Sequence, residues 1–149
     1  MKNILLIGCG HMGGSLMSGW SNSKNYTISV IDKKKYAILK KRNRNKKIKF
    51  FKSIDDINNQ NNLDYIIFAT RPLELTNVFK ELKNANFNKK SIAISVIAGK
   101  KTEIFKKNLL NISKIVRVMP NMPALIGEGV HCIYTNKSIN KKEIKEIDK

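Results

Sequence analysis

The sequence predicts an α/β fold, in which a doubly wound, mostly parallel sheet carries helices on both faces. Short β-rich apolar runs alternate with helical stretches along the chain, which is typical of βαβ units and a parallel sheet. Several runs are apolar almost throughout, as expected for strands covered by helices on both sides. With 149 residues, 42% of them hydrophobic, the chain is long enough for one domain with an ordinary core.

The apolar pattern assigns each element in turn. The predicted strands are, in chain order, Asn3–Ile7, Tyr26–Ile31, Ile48–Phe51, Tyr65–Ala69, Ile92–Ala98, Ile115–Met119 and Val130–Tyr134. After the first strand, apolar residues recur at every fourth position, in Met12, Leu16 and Trp20. After the fourth strand, the spacing is that of an amphipathic helix, in Leu75, Val78, Phe79 and Leu82. Ser53 and Asp56 have the spacing of a capping box, which predicts a short helix there.

The last residues predict the start of another helix at about residue 140. Asn140 is suited to cap it while Glu143 reaches back to the cap, and Ile144 and Ile147 begin an apolar stripe. The stripe has a capped start and no completed face. We therefore expect residues 1–149 to be one domain with the first part of a following helix, and the chain to be an N-terminal fragment of a longer protein.

Hydropathy and cysteine usage indicate the class of protein. No apolar run approaches the ~18–20 residues that span a bilayer, and no cleavable signal leads the chain. Cys9 and Cys132 form neither a disulfide framework nor a metal-ligand cluster. We expect a cytoplasmic protein with free thiols, no metal site and no membrane partner.

The net charge of +18 is compatible with a nucleic-acid partner, because Lys and Arg neutralise phosphates. The 29 basic residues, however, are 25 Lys and 4 Arg, and they are scattered over the polar stretches. Arginine is the residue expected for base or phosphate recognition, and it is scarce here. A solvated basic surface and no nucleic-acid partner are expected, and a basic nucleic-acid-binding protein stays open as an alternative.

Residues 8–13, Gly-Cys-Gly-His-Met-Gly, match the pattern G-x-G-x-x-G between the first strand and the first helix. In this context the pattern indicates a Rossmann-type dinucleotide-binding turn. Gly8 permits the tight turn, Gly10 lets the backbone approach a pyrophosphate, and Gly13 lets the helix pack close to the strand. The helix N-terminus then presents unpaired N–H groups to the phosphates. His11 is suited to contact a phosphate or merely to fill its position.

An acidic residue closes the second predicted strand. Asp32 lies nineteen residues beyond Gly13, near the ~20-residue offset of an acid that binds the adenosine ribose. Its carboxylate favours NADH because it repels a 2′-phosphate. The lysines at 33–35 follow directly and either neutralise such a phosphate or form a solvated surface. The expected cofactor is NADPH or NADH, and the choice stays open.

Further segments are expected at the carboxyl edge of the sheet, where open α/β sheets bind ligands. Ala69–Pro72 ends the fourth predicted strand, and its proline suits the first turn of the next helix. Ala98 and Gly99 end the fifth strand and are small enough to admit a flat ring. Residues 117–129, with two prolines three apart and two glycines, predict a rigid loop that exposes Asn121. No catalytic residue is indicated, and His131 is interpreted as a packed or surface histidine.

At this point the sequence resembles the pyrroline-5-carboxylate reductase family over essentially its whole length. Residues 117–124, Arg-Val-Met-Pro-Asn-Met-Pro-Ala, are similar to the family's Arg-Val-Met-Pro-Asn-Thr-Pro-Ala loop. Residues 69–72 resemble its Ala-Val-Lys-Pro segment, and residues 95–99 its strand ending in Ala-Gly. Met122 and Arg71 stand where the family has Thr and Lys. The family's C-terminal helical domain, with its Ser-Gly-Ser-Gly-Pro-Ala substrate loop, is absent from this sequence.

The resemblance implies hydride transfer from NAD(P)H to the C=N carbon of 1-pyrroline-5-carboxylate, giving L-proline in the last step of proline synthesis. It implies that this dinucleotide-binding domain alone binds the cofactor weakly and lacks full activity, while the complete protein is a homo-oligomer through the missing domain. In this resemblance the glycine turn holds the pyrophosphate, and residues 32–33 meet the ribose. Residues 69–72 line the middle of the cofactor, and Ala98, Gly99 and Asn121 flank the nicotinamide. The implied cofactor-binding residues are Ile7, Gly8, Cys9, Gly10, His11, Met12, Gly13, Asp32, Lys33, Ala69, Thr70, Arg71, Pro72, Ala98, Gly99 and Asn121.

Two other functions stay open. A related dehydrogenase, such as a prephenate dehydrogenase, is able to share residues 8–16, although residues 119–124 argue against it. A non-catalytic module is able to use the same turn to sense NAD(H).

Overall fold

The computed structural model describes residues 1–120 and 131–148. Strands and helices alternate in this part of the chain, as predicted. The strands are β1 (Lys2–Ile7), β2 (Tyr26–Ile31), β3 (Ile48–Phe51), β4 (Tyr65–Phe68), β5 (Ile92–Ser95), β6 (Lys114–Pro120) and β7 (His131–Thr135). The helices are α1 (His11–Ser21), α2 (Tyr36–Arg42), α3 (Leu75–Glu81), α4 (Thr102–Asn108) and α5 (Lys141–Ile147), with single 3₁₀ turns at Ile54–Asp56 and Gln60–Asn62. None of these helices is both long and apolar enough to cross a membrane.

The described strands form one sheet in the order β3-β2-β1-β4-β5-β6-β7. Strands β1 to β6 are parallel, and β7 pairs antiparallel with β6. The chain builds outward from β1 to β3 and then returns to place β4 on the other side of β1. The order of the strands therefore reverses between β1 and β4, and ligands of such sheets bind at the carboxyl ends of the strands that meet there. The predicted α/β, doubly wound fold is confirmed.

Helices cover both faces of the sheet, and each face has its own core. One core brings together Phe68 of β4, Phe79 of α3 and Phe105 of α4, with ring centroids 5.1–6.0 Å apart. The other core receives apolar side chains from the remaining helices: Leu16, Met17 and Trp20 of α1, Leu39 of α2 and Ile147 of α5. Burying a large apolar side chain contributes about 1.5–3 kcal/mol, so the two cores hold the helices against the sheet.

The predicted fourth and fifth strands are too long. β4 ends at Phe68, and β5 ends at Ser95, so Ala98 and Gly99 lie in a turn beyond the strand. Ile97 is buried, and its N–H turns away from the ladder to donate to the Ser95 hydroxyl at 3.3 Å. The run through Ile97 is apolar because it is buried, and this burial resembles the pattern of a strand.

Two other predicted boundaries are also wrong. The last strand ends one residue later than predicted, at Thr135, and its predicted start at Val130 lies outside the described residues. Pro72 does not lie in the first turn of a helix, because α3 begins at Leu75. A separate turn, closed by the Glu74 N–H on the Arg71 carbonyl at 3.0 Å, comes before it.

Both predicted capping boxes are confirmed. Ser53 and Asp56 cap each other's backbone at the first 3₁₀ turn, and Asn140 and Glu143 do so at the start of α5. Glu143 also pairs with Lys114 of β6 at 2.5 Å. Because the box and the ion pair share one carboxylate, the start of α5 is held against the amino end of β6.

Candidate functional site

The turn between β1 and α1 contains two glycines that the fold itself requires. Gly8 has a φ of +93°, and a Cβ there would lie 2.8 Å from the Ala69 carbonyl oxygen. A Cβ on Gly13 would lie 2.1 Å from the Gly8 carbonyl oxygen. Real Cβ atoms do not approach backbone atoms this closely. A side chain at Gly8 would push the turn away from the end of β4, and a side chain at Gly13 would push α1 away from the turn.

Gly10 differs from both of these glycines. A Cβ there would meet no described atom within 4 Å. Gly10 is the N-cap of α1 and has no side chain to cap the helix. No described contact within the protein therefore requires a glycine at this position, and the open space in front of it fits a ligand that approaches the backbone.

The start of α1 provides the polarity that an anion requires. The first N–H groups of a helix have no partner inside the helix, and the dipole places partial positive charge there. The eleven-residue α1 has no acidic residue in its first turn and no side-chain cap. His11 is exposed at this end, and Met12 is half-buried beside it. The predicted phosphate-binding role is therefore chemically reasonable for this helix end.

Asp32 directly follows β2 and is bonded to the turn. Its Oδ2 accepts the Cys9 N–H at 2.8 Å, and its Oδ1 accepts the Lys35 N–H at 3.0 Å. Lys35 Nζ in turn donates to the Cys9 carbonyl at 3.0 Å. These three hydrogen bonds fix the turn relative to the carboxyl end of β2.

Cys9 therefore faces the protein rather than a ligand. Its side chain is 3% exposed, and its N–H and carbonyl are both engaged. Burial raises the pKa of its thiol, the Asp32 charge raises it further, and Lys35 acts in the opposite direction. Ile7, one residue before the turn, is buried, and its carbonyl accepts the Ala69 N–H at 2.8 Å. Neither side chain is available to a cofactor in this arrangement.

Thr70 brings an unpaired polar atom to the same place. Its hydroxyl oxygen is buried and has no hydrogen-bond partner among the described residues. Its methyl group would lie 2.9 Å from a Cβ on Gly8, so the side chain packs against the turn. Buried hydroxyls almost always have a partner, and one that does not is suited to receive it from a ligand. Arg71 and Pro72 follow as exposed residues.

Among the remaining predicted site residues, two are exposed and one forms an ion pair with a helix. Ala98 and Gly99 are exposed in the turn after β5, and Gly99 has a φ of +69° with no described atom within 4 Å of its would-be Cβ. Lys33 points its ammonium at Glu81 of α3, 2.7 Å away. Asn121 lies outside the described residues. The structure thus brings together the turn, Asp32 and residues 69–70, whereas the Lys33 ammonium is directed to α3.

Sequence reasoning missed two acidic residues beside the site. Glu74 directly precedes α3 and pairs with Lys34 at 2.5 Å, and Glu81 ends the same helix and pairs with Lys33. The seven-residue interval between them places both on one face of a helix. That interval, opposite a run of lysines, is the pattern that could have indicated the pairs.

Two observations show that the residues present fit a dinucleotide. They are the space in front of Gly10 and the unpaired hydroxyl of Thr70, both at the carboxyl edge where β1 and β4 meet. Fold and site together define a dinucleotide-binding domain of the Rossmann type. Residues 3–99 match the family model described as "NADP oxidoreductase coenzyme F420-dependent", and the chain belongs to this family.

Curated relatives confirm the predicted resemblance. The pyrroline-5-carboxylate reductase of Haemophilus influenzae is 30% identical over 146 residues, which cover 94% of this chain and 51% of the relative. A solved structure of the Coxiella burnetii enzyme of the same name is 25% identical, with a TM-score of 0.81, over 98% of this chain and 54% of that one. The chain thus spans about half the length of the relatives that it matches.

Two more distant structures share the fold alone. The Plasmodium falciparum pyrroline carboxylate reductase, solved with NADP bound, has a TM-score of 0.73 at 23% identity, over 98% of this chain and 52% of its own. The prephenate dehydrogenase from A. aeolicus, solved with NAD+ and hydroxyphenyl propionate, has a TM-score of 0.76 at 17% identity, over 99% and 55%. Likeness of fold at these identities does not distinguish the two substrates.

Proposed function

We propose that this chain is the coenzyme-binding domain of an oxidoreductase that reduces 1-pyrroline-5-carboxylate to L-proline with NADPH or NADH. The proposal that the chain binds a coenzyme rests chiefly on one observation. A Cβ on Gly10 would meet no described atom within 4 Å, whereas Gly8 and Gly13 are packed against backbone. The proposed substrate is supported by the curated relatives, which are named pyrroline-5-carboxylate reductase and match most of this chain.

The turn and the start of α1 would hold the pyrophosphate. Gly10 and His11 offer backbone N–H groups there, and Gly10 offers no side chain that would block the approach. Cys9 takes part by fixing the turn to Asp32, since its own N–H is already bonded. Met12 lines the same helix end.

The two ends of the coenzyme would lie on opposite sides of this turn. Asp32, with Lys33 next to it, would meet the adenosine ribose at the end of β2. Residues 69–72 would line the middle of the coenzyme, with the Thr70 hydroxyl finding its missing partner there. Ala98, Gly99 and Asn121 would flank the nicotinamide, as the family resemblance implies.

The coenzyme, when bound, supplies the hydride that is added to the C=N carbon of the substrate. The residues of this chain bind and orient the rings, exclude water and hold the charge of the phosphates. An imine that arrives protonated needs no acid from the protein, and we propose no catalytic side chain in this chain.

The complete reaction is proposed for the whole protein. Its relatives are about twice as long as this chain, and we propose that a further helical domain supplies the substrate pocket and a homo-oligomeric interface. We expect the 149-residue chain to bind coenzyme weakly and to lack full activity. The cytoplasm is the proposed compartment, which is consistent with free thiols at Cys9 and Cys132.

Gly10→Val tests the proposed coenzyme site. A branched side chain there fills the space that a pyrophosphate needs, so we expect coenzyme binding to collapse while circular dichroism shows an unchanged fold. Gly19→Val is the matched control, because Gly19 lies in α1, which Gly10 directly precedes, and its Cβ would also meet nothing within 4 Å. Equal affinity of the two variants in a fluorescence titration with NADH and NADPH would contradict the proposal.

The substrate is tested on the longest natural polypeptide that contains these residues. Pyrroline-5-carboxylate should be reduced with oxidation of the coenzyme, and prephenate should not react in the presence of NAD+. Turnover of prephenate alone would favour the related dehydrogenase. Tight coenzyme binding with no turnover of either compound would favour an NAD(H)-sensing module.

A further inference from the structure

Two ion pairs join the loop after β2 to α3. Lys33 Nζ lies 2.7 Å from Glu81 Oε1, and Lys34 Nζ lies 2.5 Å from Glu74 Oε1. The hydrogen bond from Lys34 is the main reason why the pKa of Glu74 lies below its usual value. Each of these two carboxylates pairs with one of the cations that follow Asp32.

The Asp32 carboxylate directly precedes these lysines in the chain. Backbone N–H groups of Cys9 and Lys35 hold its two oxygens, one each, at 2.8 and 3.0 Å. Each carboxylate oxygen has a second acceptor position, so the group is able to accept further hydrogen bonds without moving. Ribose hydroxyls donate to such oxygens, whereas a phosphate brings only negative charge to them.

The third lysine of the run is also occupied. Lys35 Nζ donates to the Cys9 carbonyl at 3.0 Å. Accommodating a 2′-phosphate beside the ribose normally takes a cation that is available to it. In the lysine run at 33–35, every ammonium already has an acceptor within the protein.

We propose that Asp32, Glu74 and Glu81 together select the coenzyme without a 2′-phosphate, NADH. This selection rests on the proposed coenzyme function and names which coenzyme the site takes. Asp32 sets the preference by attracting hydroxyls and repelling phosphate. Glu74 and Glu81 enforce it by occupying the lysines that would otherwise neutralise that phosphate. The solved structure of the P. falciparum enzyme, by contrast, has NADP bound.

The two contributions are separable by mutation. Lys33 and Lys34 form their pairs on the surface, where each lysine side chain is more than half exposed, so replacing the glutamates leaves the core undisturbed. Glu74→Gln combined with Glu81→Gln releases both lysines and leaves Asp32 in place. The double variant should therefore bind NADPH better and NADH about as before.

The test is a fluorescence titration of the chain with NADH and with NADPH. We expect NADH to bind at least about tenfold more tightly than NADPH. The double Gln variant should raise NADPH affinity by about three- to tenfold and change NADH affinity by less than about twofold. Glu103→Gln is the control, because it removes the same charge from an exposed position on α4 and should leave the ratio unchanged.

Asp32→Ser should lower NADH affinity and shift the ratio toward NADPH. NADPH that binds the unmodified chain as tightly as NADH would overturn the selection. So would a double Gln variant with the same ratio as Glu103→Gln. Failure of both coenzymes to bind would overturn the proposed function and, with it, this selection, so the two failures are distinguishable.

Discussion

The amino and carboxyl edges of the sheet differ in whether their polar groups have hydrogen-bond partners. At the amino edge, the Asp64 carboxylate accepts the Asn3 N–H at 2.8 Å, and the Ser91 hydroxyl donates to the Leu63 carbonyl at 2.6 Å. At the carboxyl edge, the buried Thr70 hydroxyl has no partner among the described residues. The start of α1 at this edge also lacks a side-chain cap.

The difference follows from what each edge meets. An unpaired buried polar group costs about 1–3 kcal/mol, so a fold retains one only where something compensates. The amino edge meets its own loops and α5, and it can satisfy its groups internally. The carboxyl edge keeps groups unpaired at the point where a dinucleotide would supply the partners. The unpaired polar groups thus mark the ligand edge as clearly as the glycine pattern does.

The largest expected effect is on folding. Gly13→Ala places a Cβ 2.1 Å from the Gly8 carbonyl oxygen, which backbone cannot avoid without separating α1 from the turn. We expect the free energy of unfolding to fall by roughly 3 kcal/mol. Gly10→Ala is the matched control, with no described atom near its Cβ. Similar chemical-denaturation curves for the two variants would show that the turn is not packed as described.

A smaller effect is expected at the amino edge. Lys114→Met leaves the Glu143 carboxylate, whose side chain is only 17% exposed, without its cation. We expect a loss of about 2 kcal/mol in unfolding free energy and unchanged coenzyme affinity. Lys2→Met removes a more exposed lysine from the same edge and should cost less than about 1 kcal/mol. Equal losses in the two variants would indicate that burial of the pair is unimportant.

One pair of substitutions compares the edges directly. Thr70→Val removes a hydroxyl that has no protein partner, so stability should stay level or rise by up to about 1 kcal/mol. Coenzyme affinity should fall by about three- to tenfold, since one hydrogen bond is lost. Ser91→Ala removes a satisfied hydroxyl and should lose about 1 kcal/mol with no change in affinity. Destabilisation by Thr70→Val of the same size would mean that this hydroxyl already has a partner in the protein.

The smallest effect is expected from acid. Burial raises the pKa of Glu143, but hydrogen bonds from Asn140 and Lys114 outweigh it and hold that pKa below the usual 4.5. The group therefore stabilises the fold above that pH, and its contribution is lost as the pH falls through the lower folded-state value. The difference in Tm between wild type and Glu143→Gln should shrink over this range. A difference that persists under acid would contradict the assignment.

Much of the fold could be predicted because its signals are local. The alternation of β-rich and helical runs placed each described strand within a few residues, and the glycine spacing located the turn before any contact was known. The prediction was wrong where burial and strand pairing differ, as at Ile97, because apolar composition reports burial alone. The site was predictable as far as each motif is continuous in the chain.

What remained hidden from the sequence depends on residues that are far apart in it. Glycine spacing alone does not reveal that Gly13 packs against the Gly8 carbonyl while Gly10 faces open space. Nor does it reveal that Lys33 meets Glu81 forty-eight positions later. Local conformational preferences depend on neighbours along the backbone, and so they can be predicted from the amino-acid sequence. Which donor meets which acceptor follows from how the sheet stacks its strands and helices, and that requires the folded molecule.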